Sequence, residues 1–296
     1  MWKTILFLIF IGIWVDACLH NSLAELAYVS HRICLDLSPT TSAYRSLYSA
    51  MICGADPSMS HFAAQLRTVG LYHLLVVSGS HLVFIEILLL FLFKPMGRLG
   101  QWLTFATLIF FTLICNLAPP VTRALISFML RKVNEESKLF WSAHHLALAS
   151  GILTLLLFPA WLSSLSFIMS WCAALFVSLP AKSSWQKHLV IFLGLTPIVC
   201  GLQPLHPVTG LINWSLAPLL GFILLPLCFV AFIFHPATYL VDLVWWFFDK
   251  LTARVALEIP LQDLTTRPLF VTSWLYIFAA HVVSYYYLRR LARSVK

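Results

Sequence analysis

The sequence predicts an all-α membrane protein, a polytopic transmembrane bundle of about eight to ten helices. Three observations carry that prediction. Of the 296 residues, 60% are hydrophobic and 10% charged, with a mean hydropathy of +0.89, whereas a soluble domain carries about a quarter charged residues. Apolar runs recur that meet or approach the roughly 20 residues a spanning helix needs. The positive charges gather in the short segments between those runs. The alternating pattern of barrel strands is absent, and lipid requires every backbone group to be bonded within its own segment.

Residues 1–19 hold the first apolar run, Thr4–Val15, behind Lys3. Two readings stand, an uncleaved first helix and a signal peptide, the latter favoured by small Ala17 before Cys18. Asp16 beside that position is unfavourable for lipidation. Residues 20–69 are the one sizeable polar stretch. Leu23, Leu26 and Ala27, then Tyr44, Leu47, Tyr48 and Met51, recur at helical spacing. Ser38-Pro39-Thr40-Thr41 separates the two patterns and Asp56-Pro57 ends the second. They predict two amphipathic helices on or near the outer membrane surface.

Residues 70–235 carry the runs beginning near Leu71, Gln101, Leu139, Ala160, His188 and Val208, with Val121–Leu130 as a shorter one. Residues 236–267 are mixed. Ala237–Phe248 is apolar around Asp242, and Lys250, Arg254 and Glu258 then fall at four-residue steps, the pattern of a solvated helix face. Residues 268–296 form a last helix from Leu269 and a basic tail with Arg289, Arg290, Arg293 and Lys296.

Net charge is +8, and its placement sets orientation. The loops 94–100, 131–138 and 181–187 carry Lys94, Arg98, Arg131, Lys132, Lys138, Lys182 and Lys187. Ten crossings with both ends inside satisfy the positive-inside rule and put 21–69 on the outer face. Basic charge of this kind reports orientation and is weak support for nucleic acid. The seven cysteines divide accordingly. Cys115, Cys172, Cys200 and Cys228 lie in apolar spans and read as small buried hydrophobes. Cys18, Cys34 and Cys53 lie on the outer side, where disulfides persist. Cys34–Cys53 is the expected pair, with Cys18 as a competitor. No spacing points to a metal, and no cofactor is expected.

The polar residues are richest in Leu66–Phe93, an apolar run that contains His73, Ser78, Gly79, Ser80, His81 and Glu86. Ionisable groups inside a membrane are costly and tend to face other helices or water. On one continuous helix, His81, Glu86 and His73 lie at about −60°, +80° and −140° from Ser78. That arc is too wide for one face, so either several neighbours are contacted or Gly79 allows a break that gathers the groups. Helix packing through Ser78-Gly79-Ser80 is the plain alternative. In the second segment, 116–130, Pro119-Pro120 breaks the chain's helix and Arg123 follows. Arg123 reads equally as a snorkelling arginine or as a fixed charge beside an aqueous path, suited to bidentate contact with phosphate.

Gly70, His73-Leu74-Leu75, Ser78-Gly79 and His81 together resemble the signature of the ComEC-type competence family. Arg123-Ala124 with Met129, Pro159 with Leu165-Ser166-Phe167, and Asn213 with Pro218 are similar to its later elements, in the same order. The resemblance runs from about residue 50 to 234. It implies a channel in the bacterial inner membrane that passes single-stranded DNA, with His73, Ser78, Gly79, His81, Glu86, Arg123 and Asn213 as path-lining or DNA-binding candidates. Ser80 stands where the family has an apolar residue. The family's OB-like and metallo-β-lactamase-like domains have no counterpart among these residues, so nuclease activity is not implied. Either separate soluble competence proteins supply those parts as partners, or the chain is a reduced relative with an altered task; the lipid bilayer is its solvent, and oligomeric state is not legible. Two rival functions remain at this point. One is an intramembrane serine hydrolase using Ser78, with His281 as a distant base. The other is a membrane scaffold that does not transport. The expectation is a channel and not an enzyme.

Overall fold

The structure is a computed structural model that describes residues 22–40, 42–57, 60–200, 210–211, 214–216, 223–258 and 270–294. The first apolar run, Cys18 and the run from Val208 lie outside these. Among the described residues the chain is helical and has no strand. The principal helices are α1 (22–37), α2 (Arg45–Tyr48), α3 (His61–Val69), α4 (Tyr72–Leu75), α5 (Gly79–Leu92), α6 (Gly97–Ile114) and α7 (Pro119–Glu136). After them come α8 (Ala143–Leu157), α9 (Leu165–Val177), α10 (Ser184–Val199), α11 (Leu225–Ile233), α12 (Thr238–Glu258) and α13 (Phe270–Ser294).

Helix lengths differ from the apolar runs that predict them. One helix is long and apolar enough to cross a membrane among the described residues, Lys94–Ile114, with a mean hydropathy of 1.3. Gly79–Leu92, Ala143–Leu157 and Leu165–Val177 are apolar but shorter. Serines and prolines do the trimming. Ser142 and Ser164 each accept from an amide of the following first turn, which fixes the start of a helix inside the run, whereas Ser183 caps α10 ahead of its run. Pro159 opens a tight turn before α9. The two runs expected to be short are instead parts of longer helices, α7 and α12.

The chain divides into two compact units, and the division falls inside α7. The unit formed by 20–125 and 203–263 has a core of Leu47, Met51, Ile52, Phe62, Leu66, Cys228, Trp245 and Phe248. Phe62 meets Trp245 edge to face at 5.7 Å. Residues 44–51, expected at a surface, are in this core: Leu47, Tyr48, Ala50 and Met51 are all at or below 1% exposure. Arg45 and Ser46 stay exposed, while the apolar residues of the segment pack inward with Ile52 and Cys53 and not against a membrane surface. α1 keeps the expected position better, with Leu26, Tyr28, Val29, Ile33 and Leu37 outward. Cys34 on α1 is disulfide-bonded to Cys53. His31, one turn before it, donates through Nδ1 to the carbonyls of Cys53 and Ile114, both at 2.9 Å. The same turn is thus held covalently and by a hydrogen-bonded ring.

Asp242 of α12 ties the long-range packing of this unit. Its carboxylate accepts from Ser42 Oγ at 2.7 Å and Tyr48 Oη at 2.9 Å. Burial first, and then that hydrogen bond, push the Tyr48 phenol far above its ordinary pKa, so it stays a donor. Replacing Asp242 with Leu strands both hydroxyls without their acceptor. The expected loss is about 3 kcal/mol, because each unsatisfied buried group costs about 1–3 kcal/mol. The thermal midpoint of the detergent-solubilised protein measures it, and Asp242→Asn, which keeps an acceptor, recovers part.

The other unit, 126–202 and 264–296 among its described parts, is built from α8, α9, α10 and α13. Ile168, Cys172, Ile198 and Ile277 form its core. Gly194 admits the Phe176 ring, since a Cβ there would stand 2.3 Å from Cε2. Its carbonyl accepts from Tyr276 Oη at 2.7 Å. Cys115, Cys172 and Cys228 are buried as expected, but Cys200 is exposed, because it caps α10 beyond the last turn. Many outward side chains of α5, α12 and α13 are large and apolar, including Phe91, Tyr239 and Phe278 at 75, 83 and 70% exposure. Soluble proteins rarely expose such continuous apolar surface. Lys250 and Arg254 are exposed, as a solvated face requires.

Candidate functional site

The run Leu66–Phe93 is not one helix. α3 ends at Gly70, whose φ of +79° is left-handed, a conformation glycine adopts without cost. The chain makes one turn at α4, is extended at Val76 and at Ser78, and restarts as α5 at Gly79. The break falls at the serine that precedes Gly79, among the residues whose angular spread is too wide for one continuous helix.

His81 closes the restart. Its Nδ1 accepts the Ser78 backbone N–H at 2.9 Å, and Ser78 Oγ lies 3.2 Å from the same nitrogen and 2.6 Å from Ser80 Oγ. An acceptor Nδ1 fixes the neutral tautomer with its proton on Nε2. The sequence Ser-x-x-His occurs again at α8, where Ser142 Oγ lies 2.7 Å from His145 Nδ1 and accepts from the His145 amide. The pairing of a capping-position serine with the histidine three residues on thus occurs twice, and at α5 alone the ring itself takes the backbone amide.

α7 completes the site. α6 ends through Asn116 and Leu117, both left-handed at φ of 50° and 51°. Asparagine tolerates that region and leucine rarely does; such positions persist only where the surroundings impose them, at about 1–3 kcal/mol each. The reversal leads into Pro119, at the start of a helix where a missing N–H costs nothing. Val121 to Ile126 are then buried on every side, Arg123 among them at 7% exposure. Gly79 faces this turn. A Cβ on it would stand 3.2 Å from Ala124 Cβ, 3.3 Å from the Pro120 carbonyl oxygen and 3.6 Å from Arg123 Nη2.

Ser78, Gly79, His81 and Arg123 thus come together within one unit. Glu86 is buried about two turns further along α5. His73 lies in α4, with its side chain outside the described ones, and Asn213 lies outside the described residues. His281 packs against His144 and Trp171 in the other unit. Sequence reasoning missed the close approach of Gly79 to Pro120 and Ala124, which no spacing signals. It also missed His144-His145, although two adjacent histidines opening an apolar run are themselves a signal. Among the described residues no cluster of three or more potential metal ligands occurs.

The Gly79 contact is testable by size. Gly79→Ala asks its neighbours to give by a few tenths of an ångström and has a small effect. Gly79→Val adds branches against Pro120 and Ala124 and lowers stability by about 1–3 kcal/mol, the usual range for overpacking. Thermal unfolding in detergent measures both.

The sequence matches the Competence protein family over residues 51–291. The chain belongs to that family. The match covers the broken helix, Arg123 and most of α13, so both units contribute to what the family has in common. No curated protein matches this competence protein, and no solved structure does.

Proposed function

We propose that this competence protein is a multi-pass channel of the bacterial inner membrane that passes single-stranded DNA into the cytoplasm. One observation carries the reading, the meeting of two helix N-termini with a buried guanidinium. α5 begins at Gly79 and α7 at Pro119, and Arg123 Nη2 lies beside the place a Gly79 side chain would occupy. Helix N-termini carry partial positive charge; at α7, where Pro119 and Pro120 have no N–H and the Val121 and Thr122 amides donate to the Ala118 carbonyl, the Arg123 guanidinium supplies the charge. Discontinuous membrane helices use such ends to hold anionic groups at mid-depth. A phosphate backbone crossing lipid needs fixed positive or donor groups of this kind.

Ser78, Gly79, His81 and Arg123 line this path, and Glu86, His73 and Asn213 are assigned to it by the family resemblance. The burial of Arg123 favours the path over a side chain reaching for headgroups. The outward apolar faces of α5, α12 and α13 favour several crossings, more than the single helix that meets the length requirement. The Cys34–Cys53 disulfide favours an outer location for that turn, where such bonds persist. Soluble competence proteins made separately supply the driving force and the processing of the strand.

The rival hydrolase has one contact in its favour, Ser78 Oγ at 3.2 Å from His81 Nδ1. That nitrogen already accepts the Ser78 amide, so the ring is occupied as a cap, and we read the chain as a channel and not an enzyme. The experiment is entry of labelled single strands into cells, scored as label protected from added nuclease, with the genomic partners present. Ser78→Ala retains at least about half of the wild-type entry, because backbone and His81 cap the helix without the hydroxyl. Loss of all function in that variant supports the nucleophile instead. If the wild-type chain admits no strand with its partners supplied, the DNA reading fails.

A further inference from the structure

The unit built from α8, α9, α10 and α13 has a polar centre of its own. His144 of α8, Trp171 of α9 and His281 of α13 meet there. The two imidazole centroids are 5.2 Å apart, and the His281 and Trp171 centroids are 5.7 Å apart. All three are buried, at 4, 5 and 8% exposure in that order. Nδ1 of His144, Nε1 of Trp171 and both ring nitrogens of His281 make no hydrogen bond. Leaving a buried polar atom unpaired costs about 1–3 kcal/mol, and apolar rings of similar size would fill this space without that cost. Gly151 exists to admit the cluster: a Cβ there would stand 2.0 Å from Trp171 Cε2.

The donor and acceptor inventory is specific. Indole Nε1 only donates, and a neutral imidazole has one donor and one acceptor nitrogen. The three rings therefore form a complementary series, in which Trp171 donates to His281 and His281 donates to His144 Nδ1. A small rotation of the rings closes it. An added proton takes the His281 nitrogen that faced the Trp171 N–H, so that link is given up, and the second link becomes N–H⁺···N, a charge-assisted bond. The Trp171 ring stands at the distance where aromatic faces stabilise a cation.

We propose that His144 and His281 form a proton-binding pair, which takes up one proton from water between its two imidazoles and returns it to water. The neighbouring groups restrict it to one. On α8 the nearest titratable side chain is His145, 6.2 Å from His144 by ring centroids, bound to Ser142. α9 offers Cys172, whose thiol points to the Gly194 carbonyl. α13 offers Tyr276, which donates to that same carbonyl, then Tyr285 and, two turns beyond His281, the exposed Arg289 and Arg290. α10 carries Lys187 and His188. No Asp or Glu occurs in 143–157, 165–177, 184–199 or 270–294. A second positive charge has no carboxylate to balance it, so the first proton repels the next. Histidines placed inside membrane segments commonly mark proton paths, and this pair stands apart from the anion path and needs no DNA to be tested.

The measurement is histidine nitrogen NMR of the full chain in lipid nanodiscs from pH 4 to 9. Signals are assigned by loss in His144→Gln and His281→Gln. The expected result is that both rings respond to the same two steps, separated by more than about one pH unit, the mark of coupled sites. In His144→Gln, His281 then titrates in a single displaced step. Trp171→Phe, which removes the donor and keeps a ring, displaces the first step without abolishing it. Independent single-step titration of the two rings in the wild-type protein, or no titration of either across the range, overturns the proposal. His144→Asn and His281→Asn supply the assignments if a glutamine variant fails to fold.

Discussion

Arg123→Ala abolishes entry of single strands while membrane insertion and abundance stay near wild type. The guanidinium is buried at 7% exposure in the first turns of α7, beside the glycine that begins α5. In such a setting, removing one partner of a desolvated charge contact costs about 2–5 kcal/mol. That is a fall of roughly 30-fold or more, since each 1.4 kcal/mol is tenfold. Arg123→Lys restores part of the entry, because an ammonium keeps the charge and loses the paired geometry of the planar fork. Nuclease-protected label per cell, divided by protein in the membrane fraction, is the readout. Normal entry in Arg123→Ala assigns the side chain to packing alone and removes it from the path.

The second large effect is on stability. Replacing Cys34 and Cys53 together with Ser lowers the unfolding free energy by about 3 kcal/mol, the chain-entropy value for a loop of this size. The bond joins residues 19 apart in sequence and fixes α1 against a turn of the core. Reductant added to the wild-type protein produces the same fall in thermal midpoint. His31 opposes complete release, because its Nδ1–H still reaches the Cys53 and Ile114 carbonyls. His31→Leu in the double-serine background therefore adds a further loss. An unchanged midpoint under reductant means that core packing alone holds the turn.

Composition and periodicity made the helical class legible, because apolar runs with serine caps have few other solutions in lipid. Element lengths were less legible. A hydropathy run counts Leu139, Ala160 and their neighbours as span, whereas Ser142 and Ser164 start the helices inside it. The polar residues of 78–86 stood out by type, and the wide angular spread of His73, Ser78, His81 and Glu86 already required either many neighbours or a break. Which of these holds depends on the His81 ring reaching back to the Ser78 amide, a choice of side-chain direction that spacing leaves open. Arg123 was legible as a residue and not as a neighbour of Gly79, since that contact joins segments more than forty positions apart through two left-handed residues. The 44–51 segment misled for a related reason. Its helical pattern is real, with Arg45 and Ser46 exposed on the polar side, but tertiary packing buries the apolar face inside the protein where the pattern alone allows a membrane surface.

The interruption at 76–78 has a consequence for how the chain is made. A hairpin of broken helix leaves amide and carbonyl groups without partners in its own segment, and hydrocarbon supplies none. Under the proposed multi-pass topology, 72–92 emerging alone from the translocation machinery is therefore a poor candidate for stable residence in the bilayer. It gains a place when α7 arrives, with Pro120, Arg123 and Ala124 to cover the restart at Gly79. Biogenesis then runs against the order of synthesis, the later helix licensing the earlier one. Stalled ribosomes that expose the chain only through α6 should hold 72–92 at the membrane edge, open to aqueous reagents, and release past α7 should draw it in.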